Sequence, residues 1–173
     1  VPITPDDKDW TWVLERPCPD CGFVAPEHPR ESLGADVREA AVSWAERLTG
    51  RDPAVRPDDA TWSVLEYGCH VRDVFRIFAV RLDLMLVEDD PVFANWDQDA
   101  TAVAERYDLQ DPPVVRADLL AAGDVLAARF DAVSEVDWAR TGRRSNGSEF
   151  TVETLGTYMA HDPIHHLWDV RPR

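Results

Sequence analysis

From Thr61 to Leu86 the chain carries one unbroken apolar stripe. Val64, Tyr67, Val71, Val74, Phe78, Leu82 and Met85 recur at spacings of three and four, which lines them up on one side of an α-helix and on no single face of a strand. Thr61 is the candidate cap, and Glu88-Asp89-Asp90-Pro91 ends the run. A helix this long needs partners of comparable length to cover its stripe, and three other segments qualify. One starts at Ser32 and reaches about Leu48, with Val37, Ala41, Trp44 and Leu48 at helical spacing. A second runs from Pro113 or Val114 to Val133. A third starts near Thr151, with Glu153 or Thr154 at capping-box position, and continues to about Val170. Four amphipathic helices with few strand signals predict an all-α fold, a four-helix bundle whose long connections leave room for crossover topology. A short helix is predicted from Asp97 to Arg106, and the polar loop Arg143-Arg144-Ser145-Asn146-Gly147-Ser148 allows a turn or short hairpin.

Residues 1–31 contain Pro2, Pro5, Pro17, Pro19, Pro26 and Pro29, and proline lacks the N–H that regular ladders require. The same stretch holds Trp10, Trp12, Val13, Leu14 and Phe23, so an irregular arm packed on the bundle of residues 32–173 is expected. No run of about 18 apolar residues exists to span a bilayer. The first seven residues lack the basic stretch and apolar core of a secretory signal, which makes the cytoplasm the expected location. The net charge of −15 repels phosphate backbones and anionic lipid, so neither nucleic acid nor a membrane surface is expected as a partner. A homodimer through helix faces is compatible with the pattern.

Of five histidines, His70 falls inside the long stripe, while His161 and His165 share a predicted helix face with Leu155, Tyr158 and Trp168. Side chains four residues apart stand roughly 6 Å apart on one side of a helix, close enough for two imidazoles to converge on one ion. The HxxxH spacing of His161 and His165 occurs in helical zinc sites, but the residue after the first histidine is Asp162 and not the glutamate of the HExxH signature, which argues against a protease of that type. His70, His161 and His165 therefore read as ligands of one divalent metal or, alternatively, as three histidines satisfied by hydrogen bonds in a polar patch of the core. His166 points about 100° from His165 and reads as a residue behind the ligands or on the surface. Pro163, inside the segment, predicts a kinked helix at the site.

Several neighbours could serve this centre. Asp73, one turn beyond His70, and Asp169, one turn beyond His165, could orient the rings. Arg72 and Arg76 could hold a substrate carboxylate, and Trp96, in the Asn95–Asp99 connection, could cover a pocket. Cys18-Pro19-Asp20-Cys21 admits three readings: half of a zinc knuckle completed by Cys69 or His28, a redox dithiol, or two inert thiols in a packed arm. Cys69 reads as a small core residue.

Tyr67-Gly68-Cys69-His70-Val71-Arg72-Asp73-Val74 in the second helix and His161-Asp162-Pro163-Ile164-His165-His166 in the last resemble the DinB-like superfamily. That superfamily includes the YfiT-type proteins and the metal-binding domain of mycothiol-dependent maleylpyruvate isomerases. The order of segments matches from about residue 32 to 170; the arm with Cys18 and Cys21 departs from the minimal domain. The resemblance implies a bundle with a three-histidine site at one end, His70, His161 and His165 standing at the ligand positions, and zinc or nickel as the metal. It also implies an S-transferase using a small thiol such as mycothiol, with a small-molecule electrophile as second substrate. An ion on three neutral imidazoles keeps its full double charge, so a thiol brought to it loses its proton and becomes a nucleophile. The same centre could activate water for hydrolysis, or the chain could bind metal or ligand without catalysis.

Overall fold

The computed structural model describes residues 9–171. The residues read above for a secretory signal, and the first prolines of the arm, lie outside this range. Within it the fold is mostly helical. Helix α1 spans Leu33–Arg47, α2 Val64–Val87, α3 Gln98–Ala104, α4 Pro112–Asp131 and α5 Val152–Asp169. Helices α1, α2, α4 and α5 form the bundle; α4 packs broadly against both α1 and α2, and α5 closes against α1 and α2. The close approach of α4 to α1 depends on Gly123, where a Cβ would come within 2.8 Å of the Ala41 methyl.

The helix ends follow from local chemistry. Ser63, not Thr61, caps α2: its hydroxyl accepts from the Glu66 amide at 3.2 Å, while the Glu66 carboxylate accepts from the Ser63 amide at 2.9 Å. Thr61 instead forms an isolated bridge with Asp58. Thr151 and Thr154 make the equivalent box at the start of α5. Ser32 precedes α1 but caps nothing; its hydroxyl donates to the Pro29 carbonyl and to Asp36. Helix α5 runs unbroken through Pro163, whose carbonyl accepts from the Trp44 indole N–H at 3.0 Å.

An entirely helical fold omits one feature. Strand β1 (Val92–Phe93) pairs in parallel with β2 (Thr141–Arg144), which forms a hairpin with β3 (Glu149–Thr151). This three-stranded sheet ties the connection after α2 to the segment that leads into α5. A two-residue strand carries almost no periodic signal, and the parallel partner of β1 lies about fifty residues away along the chain. The arm is irregular, with 3₁₀ turns at Trp10–Leu14, Ala25–Glu27 and Arg30–Ser32. Val13, Cys18 and Phe23 are buried, the last two in the same apolar core as Trp44, Leu82 and Leu155. Among the described residues no helix is long and apolar enough to cross a membrane.

Candidate functional site

Helix α5 turns about 100° per residue, so its four side chains of metal-ligand type form two pairs on adjacent faces: His161 with His165, and Asp162 with His166. The arm lies against one face and α2 against the other. This sorts the metal-type ligands among the described residues into two clusters, within each of which the ligand atoms all lie within 4.8 Å of one another. One cluster is Cys18, Cys21, His161 and His165. The other is His70, Asp162 and His166. The expected trio of His70, His161 and His165 is thus divided between them, because the face of α5 turned toward His70 carries residues 162 and 166.

In the second cluster, Asp162 supplies the carboxylate. Its oxygens lie 3.2 and 3.3 Å from His70 Nε2, and Oδ2 lies 3.9 Å from His166 Nε2. Donors bound to one ion at about 2.0–2.2 Å stand about 3.0–3.5 Å apart, close to these spacings. His166 Nδ1 is 2.8 Å from Asp169 Oδ2, an arrangement that turns the Nε2 lone pair toward Asp162. His70 is fully enclosed, with its ring stacked on Trp96 at 5.2 Å and beside Trp62 at 5.7 Å. Burial pushes the Asp162 carboxyl up, but the neighbouring His70 and His166 outweigh this and hold it down at about 2, so it is ionised and ready to take a cation. The donors therefore fit a divalent ion.

In the first cluster, Cys18 Sγ lies 3.5 Å from His165 Nδ1. Cys18, His161 and His165 are buried. Trp10 packs on both imidazoles, at 5.4 and 4.8 Å, and Phe23 sets its ring edge-on to His161 at 5.2 Å. Burial, followed by the neighbouring His165, pushes His161 down to about 4, and burial likewise lowers His165. Both rings are thus neutral near pH 7. Burial pushes the Cys21 thiol up to about 11. His161 Nε2 is buried without a hydrogen-bond partner, a condition that costs about 1–3 kcal/mol if nothing satisfies it.

A cavity of about 860 Å³ opens at this end of the bundle. His161, Asp162, His165 and His166 all reach it from α5, with Tyr67 from α2 alongside. Trp10, Trp62, Trp96 and Trp168 supply aromatic walls, and Asp9, Asp20, Asp97 and Asp99 make it acidic. Among the described residues, Arg144 is the one arginine that lines it. Its guanidinium lies over the Tyr158 ring at 5.3 Å, and its Nε is buried without a partner.

Other sequence-predicted residues lie elsewhere. Asp73 accepts from Arg72 at 2.9 Å and from the Tyr107 hydroxyl at 2.5 Å, and Arg72 also donates to Gln110. Both are parts of an ion network on α2 away from the cavity. Arg76 bonds Asp73 and Asp118 on that same side. Asp169 does orient a histidine, but it is His166 rather than His165. Trp96 and Tyr158 line the cavity. His28 pairs with Asp36 at 3.0 Å and stacks on Phe23, and Cys69 is a core thiol pushed up to about 12 by burial; neither joins the CxxC. Sequence reasoning did not single out Asp162 as a candidate ligand, although its four-residue spacing to His166 was the available signal. It also did not place Trp10, Trp62 or Tyr67 at the cavity.

The fold is thus a helical bundle with a histidine–carboxylate cluster, a candidate metal site, bordering a cavity at one end. The chain belongs to the DinB superfamily, whose family model matches residues 35–170. Its fold is similar to that of YfiT from Bacillus subtilis, described as a probable metal-dependent hydrolase with an unusual four-helix bundle topology. That match has a TM-score of 0.71 at 19% identity and covers 81% of this chain and 83% of YfiT. No curated protein matched the sequence. The residues before 35, including both cysteines of the CxxC, lie outside the matched family region.

Proposed function

We propose that this chain is a metal-dependent enzyme that holds a divalent ion, zinc or nickel, on His70, Asp162 and His166 and transfers a small thiol of the mycothiol type to an electrophile. The observation that carries the reading is the Asp162 carboxylate set beside the Nε2 atoms of His70 and His166 at the cavity wall. An ion bound there lowers the pKa of a thiol or water brought to it and so makes a nucleophile near neutral pH. The chain's own groups prepare the site. Trp96 and Trp62 fix the His70 ring, Asp169 fixes His166, and Asp162 halves the ion's uncompensated charge. The tryptophan walls offer flat apolar faces to sugar rings, while Asn95, Gln98 and Asn146 offer amides to hydroxyls. That combination suits a neutral polyhydroxylated thiol better than an anionic one, given the six aspartates that line the cavity.

A metal-dependent hydrolase is the second reading. It is favoured by the two-histidine, one-carboxylate donor set, which catalytic zinc centres use, and by the likeness to YfiT. The test is to load the protein with zinc or nickel and measure turnover of a chromogenic electrophile with mycothiol, and of a chromogenic ester without it. Thiol-dependent turnover abolished by Asp162→Asn and by His166→Ala supports the transferase. Ester turnover without thiol, lost in the same variants, replaces it with the hydrolase. Full activity in both variants refutes the centre, and stoichiometric metal without any turnover refutes the enzyme.

A further inference from the structure

We infer that Cys18, Cys21, His161 and His165 form a second metal site, a closed four-ligand centre of the structural zinc type, which clamps the arm to α5. The site is built from two segments far apart in the chain. Cys18 and His165 are 147 positions apart, yet their ligand atoms stand 3.5 Å from each other. That is the edge of a tetrahedron with one sulfur at about 2.3 Å and one nitrogen at about 2.0–2.1 Å from its centre. The other two ligand atoms fall within the same 4.8 Å span.

The turn that carries the cysteines has the form such a site requires. The Cys18 amide donates to the Phe23 carbonyl, and the Gly22 amide donates to the Cys18 carbonyl, both at 2.9 Å. Gly22 at φ 77° lets the chain reverse directly after Cys21. Two thiolates cancel the double charge of the ion, so the occupied site is neutral, as its burial demands. Two sulfurs and two imidazoles in tetrahedral array select zinc over harder ions. A disulfide between Cys18 and Cys21 would use half of the donors and leave the buried His161 Nε2 unsatisfied; the single ion uses all four.

The arrangement has a consequence for the cavity. His161 and His165 immediately precede Asp162 and His166 on α5, so an ion gripping the first pair fixes the rotation at which α5 presents the second. The inference does not rest on the function proposed above, and the two can fail separately.

The experiment replaces the bound metal with Co(II) and reads both elemental content and the near-ultraviolet sulfur-to-cobalt charge-transfer band. The intact protein is expected to show the band and to take two equivalents, the second of which belongs to the centre proposed above and does not bear on this site. Cys18→Ser with Cys21→Ser should take one and lose the band, whereas His70→Ala with His166→Ala should take one and keep it. His161→Cys should retain the ion and raise the band about 1.5-fold, since three thiolates replace two in a ligand set zinc also accepts. Should the double serine variant fail to fold, X-ray absorption on the intact zinc protein decides, with a mixed shell of two sulfurs and two lighter atoms expected. Absence of the cobalt–thiolate band in the intact protein, its survival in the double serine variant, or a Cys18–Cys21 disulfide in protein prepared under reducing conditions would overturn the inference.

Discussion

Replacing Asp169 with alanine should weaken metal binding at the His70–Asp162–His166 centre by about 10- to 30-fold. The magnitude comes from one bond. His166 Nδ1 and Asp169 Oδ2 are 2.8 Å apart, and their side chains are 17% and 19% exposed. A hydrogen bond to a charged group contributes about 1.5–3 kcal/mol. Partial access to solvent screens this one and places it at about 1.5–2 kcal/mol. At about 1.4 kcal/mol per factor of ten, the ring loses about one to one and a half decades of affinity when its anchor is removed. The assay is competition for zinc against a chromophoric chelator, with the cobalt–thiolate band followed in parallel so that ligands on the other face of α5 are scored separately. Asp169→Asn should lose less, because its amide oxygen still accepts from the Nδ1–H. An affinity within twofold of the parent in Asp169→Ala would show that His166 is not a ligand held by Asp169. An equal loss of the cobalt–thiolate band would show that the substitution disturbed α5 as a whole.

The remaining predictions concern the frame that holds the site. Glu66 is buried at the start of α2, where Arg56 donates to both its oxygens and Ser63 donates its amide. Glu66→Ala breaks this pair together with the capping box and should cost about 3 kcal/mol in urea unfolding; a loss below about 1 kcal/mol would contradict the packing described. Burial raises the Glu66 carboxyl, but Arg56 and Ser63 prevail and hold it below its ordinary 4.5. Its stabilisation is therefore complete above that pH and is lost as pH falls through the lower folded value. The acid limb of the melting temperature should flatten in Glu66→Gln, and an unchanged limb would count against the pairing. Gly123→Ala inserts a methyl against Ala41 and should cost about 1–3 kcal/mol by overpacking; a neutral effect would mean that α1 and α4 are free to separate.

Periodicity alone revealed the four bundle helices, because each buries one stripe along its length and such a stripe is local information. Val64 to Met85 on α2 and Leu155 to Met159 on α5 are examples, and both helices run close to where their spacing puts them. The small sheet was not legible in the same way, since β1 has two residues and takes its partner from a distant loop. Histidines as ligand candidates were legible; their grouping was not. His161 with His165 and Asp162 with His166 are both four apart, so helical spacing favours neither pair, and the choice depends on which neighbour each face meets. That is fixed by the rotation of α5 against α2 and by the path of an irregular arm, neither of which leaves a mark in local sequence.

The interleaving of these pairs also explains how one helix can carry two ligand sets without mixing them. A step of one residue turns the helix by about 100° and advances it about 1.5 Å, so Asp162 is at nearly the same height as His161 but faces a different wall. The donor types separate accordingly. The arm brings two sulfurs to the two imidazoles it meets and encloses them with Trp10 and Phe23. Helix α2 brings one imidazole to a carboxylate and an imidazole that border the cavity. A set of four donors, two of them soft, fills the shell of a tetrahedral ion that stays in place, and a set of three donors with a carboxylate leaves a coordination position for substrate. An insertion of one residue in α5 between Asp162 and His165 would break both four-residue spacings at once, whereas substitutions on either face should act on one set and spare the other.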